Sequence, residues 1–275
     1  MIRILTFYRR RPDLSHEEFL DYWRDIHGPL VAGAEGVGEY LKRYIQHHLT
    51  LDPILTTGKA WVPVALPDYP FDGFSECWFE SYEDRNAFFA MPEIREKFAS
   101  DEANFMDMTT PRMMFEDRPV VVYDLPRDDW PNPLKLLGFY KRRPDITREK
   151  FRERTRSHGF IVAETPGSGD IIRNNTLHHV FLDPLVETPE KYWAPIWKPE
   201  QPDAFPFDSF SDAWFRDIAA RDTFIDEPHL RDKVVEDERG FIDMEATRLM
   251  FIDNEIVPFQ VVSEWPEPIE QTVKF

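Results

Sequence analysis

The chain has 275 residues, of which 51 are acidic and 33 basic, for a formal charge of −18, and 42% are hydrophobic. The acidic balance and the lack of any basic run argue against nucleic acid or an anionic membrane as partner, while the apolar fraction suffices for a sizeable core. Its single cysteine, Cys77, rules out an internal disulfide or a thiolate metal cage; with no charged-then-apolar leader and no run long enough to span a bilayer, a cytoplasmic protein is expected.

Residues 4–9 read as a strand with Leu5 and Phe7 on one face and Ile4, Thr6 and Tyr8 on the other. Ser15 with Glu18 forms a capping box, Phe19, Tyr22, Trp23 and Ile26 follow at helical spacing, and Gly28-Pro29 is expected to end the helix. His27 shares that buried stripe, as either a functional group or a helix-end histidine bonded to a carbonyl. In the strand expected over 44–51, Ile45, His47, Leu49 and Leu51 share an apolar face, and Tyr44, Gln46, His48 and Thr50 a polar one. A proline-rich loop carrying Trp61 leads to a strand over 75–80, where Cys77 and Phe79 oppose Glu76, Trp78 and Glu80. A helical stretch over 83–105, broken at Pro92, precedes a last strand over 112–122. The order is β-α-β-β-α-β, the ferredoxin-like arrangement.

This unit is written twice. FYRRRPDLSHEEFLDYWRDIHG at 7–28 returns as FYKRRPDITREKFRERTRSHG at 139–159, and HHLTLDP, YPFDGFSECWF and RMMF return in the same order as HHVFLDP, FPFDSFSDAWF and RLMF. We therefore expect repeats over 1–124 and 134–259, a linker over 125–133, and an arm over 260–275 that wraps the partner half or a second chain in a homodimer. The second copy has lost the helix cap, the tryptophan (Thr155 stands near the place of Trp23) and the proline. Its middle loop is longer, with 21 residues between Pro184 and Pro206 against 16 between Pro53 and Pro70. That loop carries Trp193 and Trp197, either as a lid or binding loop or as aromatic padding over a sheet end.

The stretch FYRRRPDLSHEEFLDYWRDIHGPL, with Tyr8, Phe19, Trp23 and His27-Gly28-Pro29, resembles the EthD family, and so does the second copy with Tyr140, Phe151, His158 and Gly159, where Phe160 replaces the proline. Asp101-Glu102 with Phe105, and Asp237-Glu238 with Phe241, add to the resemblance. It implies the α+β fold of the dimeric α+β barrels, here with one chain supplying both ferredoxin-like units in one pseudo-twofold barrel. Proteins of that superfamily include cofactor-free cyclases, dehydratases and isomerases, some monooxygenases, and haem proteins.

If the two sheets face each other and their polar faces line a cavity, while the apolar faces meet the helices, strand parity points Tyr8, His48, Glu76, Trp78 and Arg112 inward, and with them Tyr140, His179, Asp212, Trp214 and Arg248. Histidine, phenol and carboxylate in one enclosed space are the parts of a proton-transfer site, and the tryptophans are flat walls for an aromatic guest. His47 and His178 are expected as satisfied core histidines. No metal or nucleotide motif stands in the chain, and no metal or cofactor is expected. The leading expectation is a cofactor-independent lyase or isomerase acting on an aromatic, phenolic or polyketide-like molecule, with histidine (His48, His179, His27 or His158) as base and tyrosine or a carboxylate as acid. The alternatives are an oxidoreductase, either cofactor-free or with haem on His27 or His158, and a non-catalytic aromatic-ligand carrier. The intact cap, Trp23 and Pro29 favour the first copy as the one carrying the chemistry.

Overall fold

The computed structural model describes residues 1–57, 71–198, 207–244 and 249–261. The first half runs β1 (Ile2–Tyr8), α1 (His16–Tyr22), a π-helical turn (Trp23–His27), α2 (Gly28–Ala32), β2 (Arg43–Leu51), β3 (Gly73–Phe79), α3 (Tyr82–Ala90), α4 (Pro92–Glu102) and β4 (Met113–Asp124). The second runs β5 (Leu134–Tyr140), α5 (Arg148–Glu164), β6 (Ile172–Leu182), β7 (Ser209–Phe215), α6 (Ile218–Asp226), α7 (Pro228–Glu238) and β8 (Leu249–Gln260). Of the arm expected over 260–275, residues 262–275 lie outside the described residues, as do Trp61 and Arg248.

The Ser15–Glu18 capping box starts α1. Thr147 also caps α5, accepting from the Lys150 N–H, so the second helix keeps its cap and lacks only the reciprocal carboxylate. The expected stop at Gly28-Pro29 does not occur. Gly28 N–H bonds to the Trp23 carbonyl five residues back, which is a π-turn, and Pro29 enters the first turn of α2, where a missing N–H costs nothing. The wide turn absorbs the one extra residue between Phe19 and His27 relative to Phe151 and His158, so both histidines reach the same place in their halves.

The eight strands close into a barrel in the order β1-β3-β2-β8-β5-β7-β6-β4. The halves join through β2 with β8 and β4 with β6, and each seam carries one register shift, at Tyr44/Gln46 and Val121/Tyr123. An eight-stranded barrel is just wide enough for side chains to fill it, and aromatic rings fill this one. Phe7 stacks on Phe74 at 4.7 Å, Phe139 on Phe210 at 4.9 Å, and Phe7 meets Phe139 across the seam at 6.2 Å. Leu5, Leu49, Phe115, Leu137 and Phe251 complete this buried cluster. Burying such a side chain contributes about 1.5–3 kcal/mol, so the apolar faces belong inside, not against the helices as parity alone suggests.

The other end of the barrel holds two pseudo-symmetric sets of buried charge. Arg3 Nη2 lies 2.9 Å from Glu76 Oε2 and 2.8 Å from Asp117 Oδ2, and His178 Nδ1 lies 2.7 Å from Asp117. Lys135 Nζ lies 3.0 Å from Asp253 and 3.8 Å from Asp212, and His47 Nδ1 lies 2.7 Å from Asp253. Each set, one base, two acids and a histidine, is neutral only with its imidazole protonated. Burial works against that charge, but Asp253 outweighs it and lifts the His47 pKa to about 9, and Asp117 likewise raises that of His178. His47, Asp253 and Glu255 bring ligand atoms within 4.8 Å of one another, the spacing a metal ion needs. Lys135 Nζ sits 2.7 Å from Glu255 as well, so an ammonium already supplies the positive charge there. Among the described residues no helix is long and apolar enough to cross a membrane.

Candidate functional site

Because the barrel interior is full, space for a guest lies outside it, between each four-stranded face and its helices. In the first half this space is lined by the outward residues of β1 and β3, Thr6, Tyr8, Ser75 and Cys77, by Tyr44, and by His27 and Glu102 from the helices, and encloses about 440 Å³, its mouth included. Tyr8 Oη and Ser75 Oγ are 2.5 Å apart. His27 Nδ1 is 2.7 Å from Asp101 Oδ2, and Asp101 Oδ1 accepts from Tyr22 Oη at 3.0 Å, which fixes the imidazole and leaves Nε2 for the cavity. Burial pushes the Tyr8 pKa well up, so the phenol stays protonated, a donor.

The roof of this cavity comes from the other half. After β6 the chain crosses over: Asp183 pairs with Arg85 of α3, Arg112 N–H donates to the Pro195 carbonyl at 2.7 Å, and Trp197 N–H donates to the Arg112 carbonyl at 2.9 Å. Between these anchors, Tyr192 and Trp193 stack at 4.3 Å against Phe89 and Phe98, and Trp193 Nε1 donates to Glu102 Oε2 at 2.6 Å. Glu102 lies 3.6 Å from Arg112 Nη2, whose guanidinium covers the Tyr8 ring at 5.1 Å. The reverse crossing pairs Asp52 with Arg221 of α6 and packs Ile54 and Leu55 on Ile225.

The second half repeats the constellation with more room. Tyr140 Oη is 2.8 Å from Ser211 Oγ, His158 Nδ1 is 3.0 Å from Asp237 Oδ2, and His158 Nε2 is 3.7 Å from Glu238 Oε1. Tyr140, Ser211, His158 and Glu238 line a mostly apolar cavity of about 970 Å³, its mouth included, walled by residues such as Leu136, Val162, Phe224 and Val234, with Asp237 behind the imidazole.

The expected site residues therefore fall into separate compartments. Tyr8, His27 and Trp193 meet at the first cavity, with Arg112 against the Tyr8 ring, and Tyr140 and His158 meet at the second. Glu76, Trp78, Asp212 and Trp214 point into the barrel's charged end: Glu76 Oε1 takes the Trp78 Nε1–H at 2.6 Å, and Lys135 Nζ lies 5.9 Å over the Trp214 ring. They cannot share a cavity with Tyr8, because Leu5 and not Tyr8 stands opposite Glu76 in the register. His48 and His179, expected inward, face outward on the side of the two tyrosines, but His48 lies stacked on Trp23 at 5.0 Å with Nε2 2.9 Å from Gln46 Oε1, and His179 Nε2 sits 3.4 Å from Thr155 Oγ1. Burial first, then a neighbouring arginine, depresses both histidines to about 4. Trp197 joins the barrel's apolar core. Ser75, Ser211 and the four acids Asp101, Glu102, Asp237 and Glu238 were not singled out as site groups; their identity at matching places in both repeats was the available signal.

A profile of the EthD domain matches residues 11–109 and again 143–245. The chain belongs to the EthD family. No curated protein sequence matches this EthD protein significantly. Among solved structures, an anthrone oxidase-like protein superposes over 96% of both chains with a TM-score of 0.54 at 8% identity, which shows the dimeric α+β barrel fold. A protein of Lactobacillus acidophilus NCFM described as a candidate monooxygenase superposes over 93% of this chain and 94% of its own, at 11% identity and a TM-score of 0.46. A haem-binding protein of Thermus thermophilus follows at 8% identity, over 93% of this chain and 91% of its own, with a TM-score of 0.39.

Proposed function

We propose that this EthD protein is a cofactor-independent acid/base enzyme, a lyase or isomerase, acting on a small aromatic, phenolic or polyketide-like molecule held between sheet and helices, with the second half as its working site. We read the chain as two ferredoxin-like repeats, each strand order (β4-β1-β3-β2 and β8-β5-β7-β6) being the one such a repeat carries. The observation that carries the functional reading is the recurrence, at both sheet–helix cavities, of a tyrosine bonded to a serine and a histidine whose Nδ1 is held by an aspartate, with the larger cavity in the second half.

In this scheme His158 donates Nδ1–H to Asp237 and accepts the substrate proton at Nε2. Asp237 stabilises the imidazolium that forms, and the Tyr140 hydroxyl donates to the oxygen on which charge develops. Return of the proton to a leaving hydroxyl expels water; return to another carbon isomerises the substrate. The apolar walls exclude water and strengthen both hydrogen bonds. The anthrone oxidase-like neighbour favours a second reading, in which the same carbanion is captured by dioxygen. Haem does not suit these residues: Glu238 lies 3.7 Å from His158 Nε2, and Tyr192 and Trp193 cover the cavity of His27.

The test is proton exchange. Candidate phenolics and polyketide fragments incubated with the protein in deuterium oxide should acquire deuterium at the activated carbon, by NMR, and lose that exchange with His158→Ala. Exchange that persists in His158→Ala and vanishes in His27→Ala would move the chemistry to the first half; exchange untouched by either would end the proposal.

A further inference from the structure

Most polar groups on the second-half cavity already have partners. Tyr140 and Ser211 bond to each other, His158 is held by Asp237 with Glu238 beside it, and Arg221 carries Asp52 and Asp222. Asn175 of β6 lines the same cavity, is only 8% exposed, and has its Oδ1 buried with no hydrogen-bond partner among the described residues. An unpaired buried amide oxygen is costly, so the atom calls for a donor that the chain does not supply. The first half shows what was lost. Tyr44 stands at the matching position, and its hydroxyl accepts from Trp23 Nε1–H at 3.0 Å and from Gln46 Nε2–H at 3.3 Å. Thr155 and Leu177 stand in place of those two donors; the Thr155 hydroxyl is spent on the Phe151 and Arg152 carbonyls, and leucine has nothing to give. Register places the orphan with respect to the site. Leu177 faces Ser211 and Asn175 faces Ala213, so Asn175 is the diagonal neighbour of Ser211, roughly 7–8 Å away between backbones. Leu177 and Ala213 form the apolar floor between the two polar points.

We infer that Asn175 sets the specificity of this site, its Oδ1 accepting a hydrogen bond from a phenolic hydroxyl remote from the oxygen that Tyr140 takes. The inference rests on the proposed function and narrows its substrate class to an aromatic molecule with two oxygens apart on its frame, one of them a hydroxyl. A methoxy group or bare ring edge at Asn175 would leave the amide oxygen unpaired. The Glu238 carboxylate lies on the same wall, and the Arg221 charge is already matched by two aspartates, so the cavity favours a neutral phenol over an aryl carboxylate.

Titration of the full-length protein with 2,6-dihydroxynaphthalene, 6-methoxy-2-naphthol and 2-naphthol tests this. The diol should bind about tenfold to a hundredfold more tightly than either analogue, the loss expected when a buried acceptor is left unpaired. Asn175→Leu, close in size and without the acceptor, should bring the three to similar affinities; Asn175→Ala serves in its place if the leucine variant misfolds. A merely structural asparagine would instead lower stability in urea and leave the ratio of diol to 2-naphthol unmoved. No binding of the diol, the methoxy analogue bound as tightly as the diol, or a preference that survives Asn175→Leu would each overturn the inference. Deuterium exchange reports separately on the chemistry. Exchange lost with His158→Ala, without any preference for the diol, would end this inference and leave the proposed function standing. A preference lost with Asn175→Leu, without exchange in any of the three, would support the hydroxyl contact and tell against the acid/base reading.

Discussion

The two halves solve one packing problem in opposite ways. In the first, Trp23 lies on Gly73 between Tyr8, edge-on at 5.6 Å, and His48, stacked at 5.0 Å; a Cβ at residue 73 would meet the indole at 2.6 Å and the His47 carbonyl at 2.8 Å, so only glycine lets the ring lie flat. In the second, Ser209 stands in place of Gly73 and Thr155 in place of Trp23, and Thr155 turns its hydroxyl back on the carbonyls of Phe151 and Arg152 at 3.1 and 3.0 Å. Asn175 likewise replaces Tyr44, and Val234 replaces Phe98. Rings removed from the sheet–helix layer become open space, about 970 Å³ against 440 Å³. The first half fills its sheet–helix layer with rings, and its twin leaves that layer open.

The largest effect that would break this comparison is kinetic. With a substrate found by exchange, His158→Ala or Tyr140→Phe should lower kcat by roughly 10²–10⁴, the range for a lost acid or base, while His27→Ala and Tyr8→Phe change it by less than about tenfold. Steady-state kinetics on the four variants decides, and the reverse pattern would assign the halves the other way round.

Next in size is stability. Trp23→Ala should cost about 3–5 kcal/mol in denaturant unfolding, because the cavity left on Gly73 cannot collapse against a sheet. Trp23→Thr with Gly73→Ser rebuilds the second half's pair in the first, and should cost less than the sum of the two single changes. A cost equal to that sum would mean the two positions are not coupled through packing.

Much of this was legible in the chain. The repeat named the halves, and the capping box and the Pro92 break placed the helices of the first half. The π-turn was not legible, because its hydrogen bonds leave the hydrophobic stripe of Phe19, Trp23 and His27 almost unchanged, and Gly28-Pro29 reads as a stop under ordinary helical rules. Which face of β1 looks inward was misread for a related reason. Parity groups Tyr8 with Thr6 and Glu76 with Trp78, but only register, Leu5 against Glu76, says that these two groups lie on opposite sides of the sheet. The crossed loops were illegible too, since nothing in the order of residues says that Trp193 serves the other half.

A smaller effect tests that crossing. Trp193→Phe keeps the ring and removes the indole N–H from buried Glu102, so it should destabilise the protein by about 1.5–3 kcal/mol, as for a hydrogen bond to a charged group. Trp193→Phe in a Glu102→Gln background should cost clearly less, since the charge that strengthened the bond is gone. Equal costs in both backgrounds would show that the ring's packing, and not its bond to Glu102, ties the second half to the first.

The gentlest effect concerns what the halves have in common, the HH pairs, and it is spread over pH. His47 has its pKa raised from about 6.5 to about 9 in the folded chain, so its contribution is complete below pH 6.5 and fades as pH rises through 9. His48 is lowered to about 4, so its contribution is complete above pH 6.5 and fades as pH falls through 4. His178 and His179 shift in the same two directions. Neighbours on one strand thus oppose each other, the inward histidine limiting stability on the alkaline side and the outward one on the acid side. Each contributes a slope of at most about 1.4 kcal/mol per pH unit. Urea unfolding across pH 4 to 10 should give a maximum near neutrality. His48→Gln, which stays neutral, should flatten the acid limb, and Asp253→Asn, which removes the charge that holds the His47 proton, should flatten the alkaline one at some cost in overall stability. An alkaline limb unchanged in Asp253→Asn would mean that the buried imidazole is neutral at pH 7, and that the charged end of the barrel is balanced by some other proton.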